Sequence, residues 1–222
     1  MWCIQTITDE YWERMMDVLE VYERPYDPKR PVVCLDEKSK QLLTPSRPSI
    51  PMKPGKPQKI DYEYERHGTV NLFVTTEPKG SFRDVRVTKR RTKKDVAKEI
   101  NHLLTHIYPD GERLVLVTDN LNIHSPKSLK ETVGEECAAK LLHRIEWHDT
   151  PKHASWLDMA EIEINCLSKQ CLNQSFGHAK EVRRSVKAWV TDRNKKGVGI
   201  NGTFTRKKAE KTMGIRYENL KG

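Results

Sequence analysis

Arg113-Leu-Val-Leu-Val-Thr-Asp119 is an almost unbroken apolar run that closes on a carboxylate. It is too short and too rich in β-branched residues for a helix. A strand with no polar alternation is buried on both faces, which requires a parallel or mixed sheet covered by helices on either side. Pro31-Val-Val-Cys-Leu-Asp36 has the same form, a short apolar strand that also closes on an aspartate.

The segments around these two strands supply the other layers. Ile60–Arg66 alternates in the strand manner, His67-Gly-Thr69 carries a turn signal, Val70–Thr76 is the next strand, and Phe82–Val87 alternates again. Short turns between them predict an antiparallel meander. Thr92-x-x-Asp95 has the form of a capping box. Val96, Ile100, Leu103, Leu104 and Ile107 follow at helical spacing, and Pro109-Asp-Gly111 stops the helix. Pro126–Val133 and Glu135–His143 read as two short helices broken at Gly134, and Arg144–His148 as a last short strand. Helices are expected near Met159–Leu172 and His178–Lys195. The order is β-β-β-α-β-α-β-α: an α/β fold whose mixed central sheet has three antiparallel strands, then parallel ones, with helices on both faces.

Flanking segments are assigned by composition. Residues 1–30 form a helical lead-in, with Tyr11, Met15, Val18 and Leu19 at helix spacing and Pro25 as its stop. Residues 31–200 form the main domain, and 201–222 a polar tail with one short helix and a loose end. Within an insert at 44–58, Pro45, Pro48, Pro51, Pro54 and Pro57 recur every third residue. That period matches a polyproline turn, so the insert is expected to be extended and unpaired, a stiff surface loop or a clamp.

At 222 residues the chain holds one well-buried core. Its apolar runs are far too short to cross a bilayer, and Met1-Trp-Cys-Ile4 does not open a secretory signal. Cys3, Cys34, Cys137, Cys166 and Cys171 are odd in number and lack a C-x-x-C pair, which fits buried thiols in a reducing cytoplasm better than disulfides or zinc. His102 and His106 lie four apart on a helix, but no third zinc ligand is nearby in sequence. Forty basic residues against 31 acidic ones give a charge of +9, which favours a polyanion, nucleic acid before a membrane surface. Lys89, Arg90, Arg91, Lys93 and Lys94, with Arg183 and Arg184, are the clusters suited to DNA phosphates. Arg206-Lys-Lys208 is left unassigned.

A right-handed crossover brings the Arg113–Thr118 strand beside the first strand. Asp36 and Asp119 then stand near the carboxyl ends of adjacent parallel strands, where open α/β sheets bind ligands. Glu161, on the helix after the last strand, can lean over the same edge. Converging carboxylates repel one another unless cations compensate them. Oxygen donors suit Mg²⁺ or Mn²⁺, and two such ions roughly 4 Å apart stabilise both oxygens of an in-line phosphoryl displacement. Glu163 is the rival to Glu161 but points about 200° away around the helix. Asp158-x-x-Glu161 also has the spacing of a simple helix cap.

Val33-Cys-Leu-Asp36-Glu-Lys, Leu116-Val-Thr-Asp119-Asn-Leu-Asn-Ile-His124 and Thr150-Pro-Lys-His-Ala-Ser-Trp-Leu-Asp-Met-Ala-Glu161 resemble, in order, the three signatures of DDE transposases of bacterial insertion sequences related to the mariner superfamily. Tyr64–Phe73 is similar to that family as well. The resemblance implies an RNase H-like fold and metal-dependent cleavage at transposon ends, followed by joining of the 3′ ends to target DNA. It implies that Asp36 bridges two Mg²⁺ or Mn²⁺ ions, that Asp119 and Glu161 hold one each, and that Asn120 and His124 line the site. The implied partners are transposon-end and target DNA, with a homodimer as the assembly to look for. Helix-turn-helix modules usually precede the catalytic domain in this family, so the chain reads as a truncated copy or one frame of a split gene. The competing expectations are another RNase H-like nuclease, or a non-catalytic remnant that binds DNA or full-length transposase.

Overall fold

A computed structural model describes residues 7–59, 61–110, 113–119, 126–214 and 217. Five strands form one mixed sheet in the order β3-β2-β1-β4-β5. They are β1 (Val32–Pro45), β2 (Tyr64–Glu77), β3 (Phe82–Thr88), β4 (Leu114–Thr118) and β5 (Ile145–Asp149). β1–β2 and β2–β3 pair antiparallel, while β1–β4 and β4–β5 pair parallel. The helices are α1 (Asp9–Glu23), α2 (Lys93–His102), α3 (Pro126–Val133), α4 (Glu135–His143), α5 (Ala160–Gln170), α6 (Ala179–Lys195) and α7 (Arg206–Ala209).

Alternation along the strands sends side chains into two cores. On one face Val33, Leu35, Phe73, Leu114 and Leu116 pack against Val96, Ile100, Leu103 and Leu104 of α2 and the turn after it. On the other, Cys34, Val115 and Val117 meet α1 and the start of α5, and Leu72 and Val74 meet α5 and α6. β4 is buried along its whole length, as its composition requires. The α2 capping box closes as expected, with the Thr92 amide donating to Asp95 Oδ2 at 2.9 Å. Gly134, at φ 85° and ψ 158°, separates α3 from α4 in a backbone region open essentially to glycine alone.

Four expectations need correction. β1 does not end at Asp36: it runs on to Pro45, because β2 keeps pairing with it as far as Pro45–Tyr64. The signal at His67-Gly-Thr69 is not a turn. β2 is continuous there, and the register slips between Gln41 and Leu43 opposite it, with Gly68 at φ 91°. A bulge uses the same permissive glycine as a turn but bends the ribbon rather than reversing it. The proline comb is not unpaired either. Ile50 and Lys59 exchange backbone hydrogen bonds of 2.9 and 3.1 Å, and Lys53 and Lys56 exchange bonds of 3.0 and 2.8 Å. Every third residue lacks an N–H, but the bonding residues fall between the prolines, so the insert folds back as an arm on the β1–β2 ribbon. Ile50, Met52, Tyr62 and Tyr64 are exposed along that arm. Finally, the segment after α6 is not a free polar tail where it is described, while its expected loose end lies outside the described residues. Ala209 and Met213 join the α1 core, and the Tyr217 ring stacks on Trp12 with centroids 4.8 Å apart.

α1 is likewise part of the core, with Met15, Val18 and Val21 fully buried. Side chains of this kind stabilise by about 1.5–3 kcal/mol each when removed from water. A polar clasp ties α1 to the sheet edge. His148 Nδ1 lies 2.6 Å from Asp17 Oδ2, and its Nε2 lies 3.2 Å from Glu146 Oε1. Glu146 also accepts 2.6 Å bonds from Arg24 and Arg30. Burial alone would lower the His148 pKa, but the hydrogen bonds and charges of Asp17 and Glu146 outweigh it and raise the pKa above the ordinary value. A raised folded-state pKa gives stability that is complete below about pH 6.5 and is lost as pH climbs through the folded value. His148→Gln should therefore melt lower than the parent at pH 6. The gap should narrow by pH 9 when thermal unfolding is followed at both; a gap independent of pH would refute the clasp.

Candidate active site

The parallel pairing of β1 with β4 ends at Leu35–Thr118, so Asp36 and Asp119 are the next residues in register. Cys34 and Val117, their paired neighbours two residues back, both face the α1–α5 core, and alternation sends both aspartates to that same face. Asp36 lies in the interior of β1, so its position is set by where β4 stops rather than by its own strand end. Thr118 fixes that stop. Its hydroxyl donates to Asp149 Oδ1 at 3.2 Å and accepts from Trp147 Nε1 at 3.0 Å. Sequence reading missed this brace, for which the alternation Trp147-His-Asp149 at the end of β5 was the available signal.

α5 starts against this face because Ala160 packs in the cluster of Cys34 and Val117. Its first turn is set by Asp158, fully buried, whose Oδ1 accepts from the Ala160 amide at 2.8 Å. Asp158 thus holds the helix start, and the carboxylate of Glu161 is not part of that bond. Glu163 is turned the other way and fully buried. Arg193 donates to it at 2.7 and 3.1 Å, and Arg83 Nε lies 3.2 Å from its Oε1. Of the two glutamates in the first turn, Glu163 is taken up by arginines of β3 and α6. Glu161 is the one whose charge acts on Asp36.

Asp36 is only 8% exposed, and its Oδ1 accepts from the Glu37 amide at 2.6 Å. Burial pushes its pKa up to about 7; the Glu37 amide opposes that, and the charges of Asp119, Glu161 and Glu37 add to it. The structure thus brings Asp119 and Glu161 each within electrostatic reach of Asp36. Among the described residues, no three His, Cys, Asp or Glu side chains are already arranged to hold a metal ion. Asn120 and His124 lie outside the described residues.

The basic clusters are on the surface. Lys89, Arg90 and Arg91 are exposed between β3 and α2, Lys93 and Lys94 are exposed at the start of α2, and Lys93 is engaged with Glu131 at 2.9 Å. Arg183 and Arg184 are exposed on α6, whose Val182 and Val186 point inward. His102 and His106 stack with ring centroids 5.1 Å apart, and His102 Nε2 lies 3.4 Å from Asp84.

Comparison with solved structures places the fold. The Mos1 mariner paired end complex with Mn superposes with a TM-score of 0.57 at 17% identity, over 89% of this chain and 61% of that one. The Mos1 Strand Transfer Complex gives 0.56 at 17%, over 89% and 60%. The catalytic domain of Mos1 mariner transposase gives 0.53 at 14%, over 89% and 91%. The chain therefore spans 61% of the transposase in the first of these complexes and nearly all of the isolated catalytic domain. At such identities the likeness shows the fold, an RNase H-like mixed sheet. No curated protein matches the sequence. Residues 31–183 match the family described as DDE superfamily endonuclease, a span that includes all three carboxylates and both aspartate-bearing strands, and the chain belongs to that family.

Proposed function

We propose that this chain is the catalytic domain of a DNA transposase that cuts phosphodiester bonds at the ends of a mobile element and joins the 3′ ends to target DNA. One observation carries the reading. Asp36 and Asp119 are successors in register at the end of a parallel strand pair, and the charge of Glu161 acts on Asp36 across the same face. Three carboxylates gathered in this way, one of them buried, form a hard-oxygen donor set that fits Mg²⁺ or Mn²⁺. Asp36, the most enclosed, would hold the ions together with Asp119 and Glu161. Bound there, divalent ions would polarise the scissile phosphate and lower the pKa of an attacking water or 3′-hydroxyl. The protein's own part is to hold the three side chains on rigid elements, with β4 pinned by Thr118 and α5 by Asp158. The exposed clusters at Lys89–Lys94 and Arg183–Arg184 then serve to hold the DNA backbone. Helix-turn-helix modules that recognise the element's ends belong to the proposal as a partner region.

The test is a product analysis. Supercoiled plasmid and end-labelled duplex are incubated with the protein and Mn²⁺. Nicks bearing 3′-hydroxyls, some joined to a second duplex, are the expected products. Cleavage that never yields a joined product would point to a resolving nuclease on the same fold. No cleavage by folded protein carrying its end-recognition modules would sink the reading.

A further inference from the structure

β1 carries a second feature on the face that bears Asp36. Alternation places Lys38 and Lys40 there, and the residue opposite Lys38, Leu72, is buried under α5 and α6. α5 runs alongside this part of β1 in the same direction. Glu161 at its start acts on Asp36, and at its far end Lys40 Nζ donates to the Leu172 carbonyl at 2.8 Å. The lengths agree, since four strand residues span about 13 Å and a helix of α5's length about 16 Å. The strip of β1 that leads away from the carboxylates is thus flanked by α5, which bears Glu161 and, one turn on, the exposed Asn165.

The two lysines on this strip differ. Lys40 is committed to the fold by the Leu172 bond and by the Phe176 ring 5.7 Å away. Lys38 is exposed and takes no hydrogen bond or ion pair from any described residue. It stands about 7 Å along the strand from Asp36, a two-residue step. An exposed lysine two residues from Asp36 on the same face of β1, with no bond to any described residue, is placed for an anion that arrives with the substrate.

We propose that Lys38 contacts a backbone phosphate of the DNA strand next to the scissile one, so that the cut strand runs along β1 beside α5, away from the carboxylates. This rests on the transposase reading for the identity of the scissile phosphate, but the contact can be measured without catalysis. A lysine on one phosphate orients the strand and adds affinity independent of sequence.

The experiment measures binding of the full chain to a fluorescent duplex oligonucleotide by anisotropy, between 50 and 200 mM salt, with Ca²⁺ replacing Mn²⁺. The proteins are wild type, Lys38→Ala, Lys38→Arg and, as a remote surface control, Lys140→Ala. Loss of one phosphate contact lowers the slope of log K against log salt by about 0.9. Lys38→Ala should show that loss, with Lys38→Arg restoring it and Lys140→Ala leaving it unchanged. Mn²⁺-dependent plasmid nicking should fall roughly tenfold in Lys38→Ala, mainly in kcat, because a strand held one contact short is misplaced at the reacting atoms. An unchanged slope in Lys38→Ala overturns the proposal whatever nicking does. Failure of the wild type to nick would count against the transposase reading alone, while the slope would still decide the contact.

Discussion

Asp119→Asn is expected to leave the fold intact and to cut Mn²⁺-dependent nicking by roughly three orders of magnitude. The magnitude follows from the site. A metal centre supplies several kcal/mol of charge stabilisation to a phosphoryl-transfer transition state, and each 1.36 kcal/mol is tenfold in rate. An amide in place of Asp119 keeps the shape of a residue that directly follows β4 but removes the charge that would hold a cation. The fold should survive because β4 is secured by pairing with β1 and β5 and by the Thr118–Trp147–Asp149 brace, none of which involves the Asp119 carboxylate. A second readout needs no DNA. A ligand that binds only the folded state at 100 times its Kd stabilises by about 2.7 kcal/mol, so saturating Mn²⁺ should raise the wild-type melting temperature, and much less so that of the variant. Parallel nicking assays and melting curves would check both points. Nicking by Asp119→Asn at the wild-type rate would remove this residue from the site.

Glu163→Ala should be the most destabilising change around α5. Glu163 and Arg83 are both fully enclosed, and Arg193 is nearly so. Arg83 is further held by the carbonyls of Ser81 and Val198 and by Asn194, whose amide bonds back to the Arg83 carbonyl at 2.8 Å. Removing the one carboxylate leaves two guanidinium groups facing each other without a counter-charge. Breaking a buried pair in this way costs about 3–5 kcal/mol, or roughly a 10 °C fall in melting temperature for a domain of this size. The same argument gives a contrasting result. Replacing all three members by Met or Leu of similar volume should recover much of the loss, because the uncompensated charges disappear together. Activity should fall in Glu163→Ala beyond what stability explains, since α5 carries Glu161 only two residues away. Thermal unfolding of the single and triple variants checks this. A single variant as stable as the parent would mean that the cluster does not anchor α5.

Much of the fold was legible because its determinants are local. The apolar run of β4, the Thr92 box, the break at Gly134 and the 3.6-residue period of α5 and α6 each act within a few residues, and the structure places those elements within one or two residues of expectation. The misread parts depend on partners distant in sequence. Gly68 signals a permissive backbone, and only the opposing strand decides whether it serves a turn or a bulge. The prolines remove donors at every third position, but whether the remaining N–H groups find acceptors depends on a second half of the arm folding back. α1 and the segment after α6 look polar in composition, yet they meet each other across the chain and bury Met15 and Met213 together.

The site divides in the same way. The placement of Asp36 beside Asp119 was readable because both end the apolar part of a buried strand, and parallel pairing then makes them neighbours. Glu161 and Glu163 share one helical turn, and the sequence left only helix geometry and motif resemblance to separate them. What separates them physically is Arg83 and Arg193, 80 residues before and 30 after Glu163 (163 − 83, 193 − 163), which draw it to the opposite side of α5. No local pattern encodes that.

On the proposed function, the carboxylates of Asp36, Asp119 and Glu161 together hold divalent cations. A crystal soaked in Mn²⁺ and measured for anomalous scattering tests it most directly. Two peaks are expected, both touching Asp36, with Asp119 and Glu161 each completing one. Manganese bound elsewhere, or none at these side chains at saturating concentration, would rule out this cation site.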